Sequence, residues 1–341
     1  MKTLLVTGGA GFIGSNFIPH ILKTDIRVVN LDALTYAGSL ENLKGLENNP
    51  RYVFVKGDIG DRMLVEALFA THSFSGVIHF AAESHVDNSI AGPEAFVRTN
   101  VMGAFTLLDA ARGAWMKEPF VPKEGCENFR FLQVSTDEVY GSLGESGYFA
   151  ENSPYAPNSP YSASKAAADL LVRSCFHTYG MNVVTTHCSN NYGPHQHSEK
   201  LIPTVIRTAL EGKPIPVYGD GKNVRDWLYV LDHCAGISLA FEKGKSGETY
   251  NIGGRNEHTN LEIVHLICQY LDELKPRPDK KSYKEQIAFV KDRAGHDRRY
   301  AIDASKAESE LGWRAVMRFE EGMRQTVKWY LAEDFRLKAR K

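Results

Sequence analysis

Cysteine is scarce and scattered in this chain, and that alone removes several classes of protein. The five residues, Cys126, Cys175, Cys188, Cys234 and Cys268, include no C-x-x-C pair, so neither a disulfide framework nor a thiolate zinc site is indicated. They read as reduced thiols acting as small buried hydrophobes. No stretch reaches the roughly 18 continuous apolar residues that a membrane span needs. A secretory signal is missing too: "MKTLLV" offers one positive charge and a short apolar run before Gly8 and Gly9. Neither sign of charge dominates, with 40 Lys and Arg against 41 Asp and Glu, so nothing pulls the whole protein toward nucleic acid or an anionic membrane. Internal repeats and low-complexity tracts are absent. The expectation is a soluble, cytoplasmic protein with no nucleic-acid and no membrane partner.

What remains is enough apolar material for a large core: 43% of 341 residues are hydrophobic, a length that suits a large domain plus a smaller one. Residues 3–7, 27–31, 52–56, 76–80, 130–135 and 182–187 are short, continuously apolar, β-branched runs, as in strands covered on both faces. Helical patterns lie between them, at 13–23, 63–71 and 94–115. That alternation predicts an α/β fold with a Rossmann-type doubly wound parallel sheet. After about Asn190, Pro and Gly become frequent and strands few. The reading is a first domain over 1–189, completed by a strand near 248–254, and a smaller, mostly helical substrate domain over 190–341. The charged tail "EDFRLKARK" reads as a solvated terminus.

"VTGGAGFIGS" places Gly8, Gly11 and Gly14 between the first strand and the first helix. In that context Gly8 permits the tight turn, Gly11 lets a pyrophosphate approach the backbone, and Gly14 lets helix pack on strand. The diphosphate would sit on free N–H groups at the helix N-terminus. Asp32, about 20 residues on and closing the second strand, suits the ribose hydroxyls of NAD and repels the extra phosphate of NADP. Asp58 and Ile59, after the third strand, are candidates to line the adenine.

"QVSTDEVYG" raises a different question, because an apolar run ends in two adjacent carboxylates, Asp137 and Glu138. Two carboxylates in a dry site cannot both ionise cheaply, which favours one acid beside one base. In "SPYSASK", Ser159 is a candidate N-cap and Pro160 fits the first helical position. Tyr161 and Lys165 then stand at i and i+4 on one helix face. An ammonium there would lower the phenol toward working pH, so that Tyr161 could accept a proton from a sugar hydroxyl. Arg225 in "DGKNVRDW" and the group Arg293, His296, Arg298 and Arg299 are the basic side chains available to a diphosphate. His195 and His197 lack a clear third ligand, and no metal is expected.

"TGGAGFIG" and "YSASK" resemble the extended short-chain dehydrogenase/reductase family. "NLDALTYAGSLENL", "HFAAESHVDNSI", "STDEVYG", "SNNYGP", "PVYGDGKNVRDWLYVLDH" and "DRAGHDRRYAID" narrow the resemblance to its nucleotide-sugar 4,6-dehydratases, over almost the whole chain. The resemblance implies a lyase with internal redox on a nucleotide-diphosphate glucose, dTDP-glucose first. UDP-glucose stays open, since nothing in the spacing reads thymine from uracil. A C4 epimerase of the same fold, which has no use for Asp137 and Glu138, and a non-catalytic NAD-sensing protein are the other readings.

The implied cycle has three steps. Tyr161 removes the C4 hydroxyl proton, oriented by Thr136, as hydride passes to NAD+. Glu138 then takes the C5 proton while Asp137, kept protonated, donates to the departing C6 hydroxyl. Finally hydride returns to C6 and Glu138 returns a proton to C5. For the cofactor, the resemblance implies contacts from Gly8, Gly11, Phe12, Ile13, Gly14, Asp32, Thr35, Asp58, Ile59, Phe80, Ala81, Ala82, Ser84, Thr99, Tyr161, Lys165 and Asn191. For the substrate it implies Ser84, Thr136, Asn190, Lys200, Leu201, Pro216, Tyr218, Arg225, Asn260, Arg293 and His296. It also implies a homodimer through helices near 103–115 and 163–178. Ala33 and Ala294 depart from the usual Lys and Pro of the family. The first would lose a contact at the adenosine end and the second would loosen its loop.

Overall fold

The computed structural model describes residues 1–332; the tail "EDFRLKARK" lies outside them. Seven strands form one sheet: β1 (Lys2–Thr7), β2 (Ile26–Asp32), β3 (Tyr52–Lys56), β4 (Gly76–His79), β5 (Arg130–Thr136), β6 (Val183–Cys188) and β7 (Thr249–Ile252). Their order is β7-β6-β5-β4-β1-β2-β3, and every pairing is parallel. This is the doubly wound architecture expected from the apolar runs, and β7 is the strand expected near 248–254. The order reverses between β1 and β4, where Thr7 lies opposite His79. A ligand crevice is expected at such a switch point, at the C-terminal strand ends.

Helices cover both faces because the strands are apolar on both. On one side, α1 (Phe12–Ile21) contributes Phe17, Ile18 and Ile21, and α6 (Val230–Lys243) contributes Cys234, Ile237 and Ala240. The other side is covered by α2 (Arg62–Thr71), α3 (Ala104–Trp115) and α4 (Pro160–Tyr179), with Leu68, Leu107 and Val172 in its core. The helical stretch read over 94–115 is not uniform. A π-helical segment, Val97–Gly103, separates Pro93–Phe96 from α3. Its Asn100 donates to Ser164 Oγ at 2.9 Å and accepts from the Glu83 N–H at 2.8 Å, tying the loop after β4 to α4.

A second core gathers α5 (Leu201–Leu210), α7 (Asn260–Leu274) and α8 (Phe319–Ala332) around Tyr192, Trp227 and Tyr229. The expectation of few strands here needs correction. Residues 190–192, 224–229 and 257–259 form a three-stranded sheet, and 215–218 pairs with 287–290. Polar residues hid these strands. In "VRDWLY" the buried Asp226 carboxylate accepts the N–H groups of Gly254 at 2.8 Å and Asn256 at 2.7 Å, so a charge is satisfied inside a strand that alternation would have called irregular. Helix α6 and strand β7 leave this second core and pack with the main sheet.

Candidate active site

The crevice at the switch point begins at the glycine turn. Gly8 has φ +72°, and a Cβ there would come within 2.5 Å of the Ala81 nitrogen. A Cβ on Gly14 would meet the Gly8 carbonyl at 2.4 Å, so turn, α1 and the end of β4 touch backbone to backbone. Gly11 caps α1 without a side-chain bond, and no acid occupies the first turn. Those free N–H groups face the cavity and fit a diphosphate. Asp32 is buried and accepts the N–H groups of Ala10 and Leu34, each at 2.8 Å; burial raises its carboxyl. Phe12, Ile13, Ala33, Thr35, Asp58 and Ile59 continue the wall at this end, and Phe80, Ala81, Ala82 and Thr99 follow toward the centre. The cradle therefore suits a dinucleotide with an unphosphorylated adenosine ribose.

At the other end of the same cavity lie Thr136, Asp137, Glu138, Tyr161 and Lys165. Thr136 ends β5, and residues 137–140 form a 3-10 turn that presents both carboxylates. Asp137 is 2% exposed, and its Oδ2 lacks a hydrogen-bond partner. Burial first, then the charges of Glu138 and Asp226, push it well above the usual carboxylate range. Burial also raises Glu138, but the charges of Arg293, Arg225 and Lys200 oppose the rise. Adjacent in sequence, the two carboxyls occupy environments that separate acid from base.

Tyr161 is drawn from α4, whose start is fixed by Ser159. The Ser159 hydroxyl accepts the Ser162 N–H at 3.1 Å, in a capping box with Pro160 at the first position. Burial and then Glu138 raise the phenol well above its ordinary value, with the Thr136 hydroxyl opposing the rise. This corrects the expectation that Lys165 lowers it. The Lys165 Nζ donates instead to the Val134 carbonyl at 2.8 Å, because β5 runs past the end of β4, whose pairing stops at Gln133. Helical i, i+4 spacing puts the two side chains on one face without making them partners.

Ser84, Asn190, Asn191 and Lys200 also line the cavity, and Lys200 Nζ donates to the Ser84 carbonyl at 2.8 Å. Leu201, Pro216, Tyr218, Arg225, Asn260, Arg293 and His296 fall outside the lining. Leu201 opens α5, Asn260 opens α7, and Pro216 and Tyr218 belong to the strand 215–218. Arg225 is buried over the Tyr300 ring, 4.2 Å from its centroid, and donates to the carbonyls of Val224 at 2.8 Å and Asp297 at 2.9 Å. Arg293 lies 3.7 Å from Asp87, and His296 bonds Asp292 at 2.6 Å. Within the expected basic group, Arg299 is held by both Glu257 oxygens, at 2.7 and 3.0 Å, and Arg298 pairs with Asp220 at 3.1 Å. Those two are engaged elsewhere.

Sequence reasoning passed over Ser135, Cys188, Glu83, Gln196 and Glu199, all in the lining. Burial and Glu199 raise Glu83. Against its own burial, Glu199 is held below the usual range by His197, His85 and Lys200. Glu83 sits inside "HFAAESHVDNSI" next to Ser84, and Glu199 immediately precedes Lys200; that adjacency was the available signal. His195 and His197 do not converge: His195 lies 3.3 Å from Asn42, while His197 packs edge-on to Tyr36. Among the described residues no three His, Cys, Asp or Glu side chains are grouped to hold a metal.

A dinucleotide cradle joined to a carboxylate pair and a Tyr/Lys helix defines a nucleotide-sugar enzyme of the extended short-chain dehydrogenase/reductase class. Within it, the chain belongs to the family whose profile, described as GDP-mannose 4,6 dehydratase, matches residues 5–326. A dTDP-glucose 4,6-dehydratase of Xanthomonas campestris pv. campestris (strain B100) is 60% identical over 331 residues, covering 97% of this chain and 93% of that protein. The crystal structure of DesIV, a dTDP-glucose 4,6-dehydratase of Streptomyces venezuelae solved with NAD bound, superposes with a TM-score of 0.88 at 45% identity, covering 98% of each chain. A UDP-glucose 4-epimerase of Thermotoga maritima shares the fold at a TM-score of 0.84 and 28% identity, covering 97% of this chain and 99% of that one.

Proposed function

We propose that the protein converts dTDP-glucose to dTDP-4-keto-6-deoxyglucose by removing water across C5 and C6, with NAD retained throughout. The observation that carries this reading is the divided environment of Asp137 and Glu138 inside the cavity that begins at the glycine turn. An epimerase requires neither carboxylate. The names of relatives at 60% identity support dTDP over UDP as the carrier.

Bound NAD supplies a hydride acceptor for C4 and a hydride donor for C6. Tyr161, within reach of Thr136, receives the C4 hydroxyl proton, and Thr136 orients that hydroxyl. Lys165 stabilises the resulting phenolate once it turns from the Val134 carbonyl. Glu138, whose ionised form three cations support, removes the C5 proton that the new ketone acidifies. Asp137, held protonated, gives its proton to the leaving C6 hydroxyl, and Glu138 returns a proton to C5. Burial keeps the intermediate from water.

Residues 1–189 with β7 form the cofactor part in this reading and 190–341 the nucleotide-sugar part. Lys200, Arg225 and Arg293 flank the diphosphate. The protein acts as a homodimer through α3, the π segment before it and α4. The test is incubation of purified protein with dTDP-glucose, followed by mass spectrometry. Loss of one water without added NADH is the expected result. An unchanged mass with a new isomer would replace this reading with epimerisation, and turnover of UDP-glucose alone would replace the base.

A further inference from the structure

A buried polar node stands behind the cavity and is used by none of the steps above. Asp169, one helical turn after Lys165 on α4, accepts the Ser135 hydroxyl at 2.7 Å and lies 3.1 Å from His187 Nε2, all through Oδ2. The Asp169 and His187 side chains are 1% and 0% exposed, and Asp169 Oδ1 has no partner. Ser135, on β5, immediately precedes the Thr136–Glu138 segment, and His187 is the penultimate residue of β6, beside Cys188. Three elements of the site therefore meet at one carboxylate.

The hydrogen bonds around His187 determine its protons. Asn251 Nδ2 donates to the Phe149 carbonyl at 3.0 Å, which turns its Oδ1 toward Tyr140. The Tyr140 hydroxyl donates to that oxygen at 3.0 Å. Its single proton is then spent, so at 2.6 Å from His187 Nδ1 it can only accept, and Nδ1 carries a proton. On the other side Nε2 faces a carboxylate oxygen, and two bare lone pairs at 3.1 Å would repel. One proton must lie between them. The Tyr155 hydroxyl, 3.2 Å from Nε2, is a longer contact to the same nitrogen. Other charged or titratable groups acting on this cluster are Lys165, Arg173, Glu151, Asp137 and Cys188.

We propose that Asp169 and His187 hold one shared proton as a positioning pair, locking the strand that presents Thr136, Asp137 and Glu138 to the helix that presents Tyr161 and Lys165. The pair is neutral as a whole, so it anchors β5 through Ser135 without cancelling the Lys165 charge. Its kinetic consequence rests on the dehydratase reading, whereas its protonation does not.

Two measurements on the NAD-loaded protein separate these points. Nitrogen-15 histidine NMR of the wild type is expected to show protons on both His187 nitrogens at neutral pH, and on Nδ1 alone in Asp169→Asn. A bare Nε2 in the wild type overturns the proposal whether or not the protein dehydrates sugars. In turnover of dTDP-glucose, Asp169→Asn and Ser135→Ala are each expected to lower kcat at least about tenfold with KM within about twofold, as small misplacements of reacting groups do. The double variant should lose little more than the worse single one, since both cut the same link. If Asp169→Asn fails to fold, Ser135→Ala carries the kinetic arm. A lowered Tm with kcat unchanged overturns the proposal, because it would mark a merely structural role. Absence of water loss in the wild type would count against the dehydratase reading alone.

Discussion

Asp137 is held in a form that weakens the fold. Its carboxyl lies well above the ordinary 3.8 because burial and the neighbouring charges of Glu138 and Asp226 disfavour the carboxylate. The folded state thus keeps a proton that the unfolded chain has released, and stability falls as pH rises from the ordinary value toward the folded one. Asp137→Asn removes this dependence. Its Tm minus that of the wild type is expected to grow more positive from pH 4 to pH 8; a difference constant with pH would show that the carboxyl is not held protonated. The same residue scale separates acid from base in the chemistry. With dTDP-glucose in D2O, wild-type product should carry deuterium at C5. Glu138→Gln should abolish that label and lower kcat by about 10²-fold or more, the usual contribution of a positioned base. Asp137→Asn should slow loss of water while leaving C5 exchange measurable. Equal C5 exchange in Glu138→Gln and wild type would remove Glu138 from the role of base.

At the scale of elements, the main sheet was legible because β1 to β6 are covered on both faces and read as unbroken apolar runs. The glycine turn was legible for a related reason: only glycine permits the contacts seen at Gly8 and Gly14. Gly14→Ala would place a methyl 2.4 Å from the Gly8 carbonyl and 2.7 Å from the Gly9 Cα, forcing α1 off the turn. Gly144→Ala meets nothing within 4 Å and serves as the control. The first variant is expected to purify with markedly less nucleotide, read as released NAD per protein, and with a lower Tm; the second should match the wild type in both. Equal nucleotide content in the two would dissociate the turn from cofactor binding. The strands around the second core were not legible, since 224–229 buries Arg225 and Asp226, whose partners include backbone groups as distant as Asp297 and Gly254. The Tyr161–Lys165 pairing shows the opposite limit. Spacing gave the shared face, but the Val134 carbonyl that claims the ammonium lies on another element.

On the scale of the whole molecule, the site exists because parallel strands deliver their C-terminal ends to one edge of the sheet. Residues as far apart as Gly8, Asp58, Asp137, Tyr161 and Lys200 thereby line one cavity. No local pattern encodes that convergence, which is why the motif-bearing residues were found and Glu199, Cys188 and the Asp169 node were not. The opposite face of the same helices carries the last inference about the assembly. Val97, Met102, Phe105 and Leu170 are 52%, 53%, 40% and 55% exposed, on the π segment, α3 and α4, which pack against one another. Four large apolar side chains on adjoining helices form a surface that a second copy would cover, each contributing on the order of 1.5–3 kcal/mol when fully buried. Light scattering coupled to size-exclusion chromatography at micromolar concentration is expected to give a dimer for the wild type. Leu170→Glu with Phe105→Glu would leave two charges in the buried interface and should yield a monomer that still retains NAD, since neither side chain lines the cavity. A monomeric wild type, or a double variant that remains dimeric, would show that these helices do not form the contact between copies.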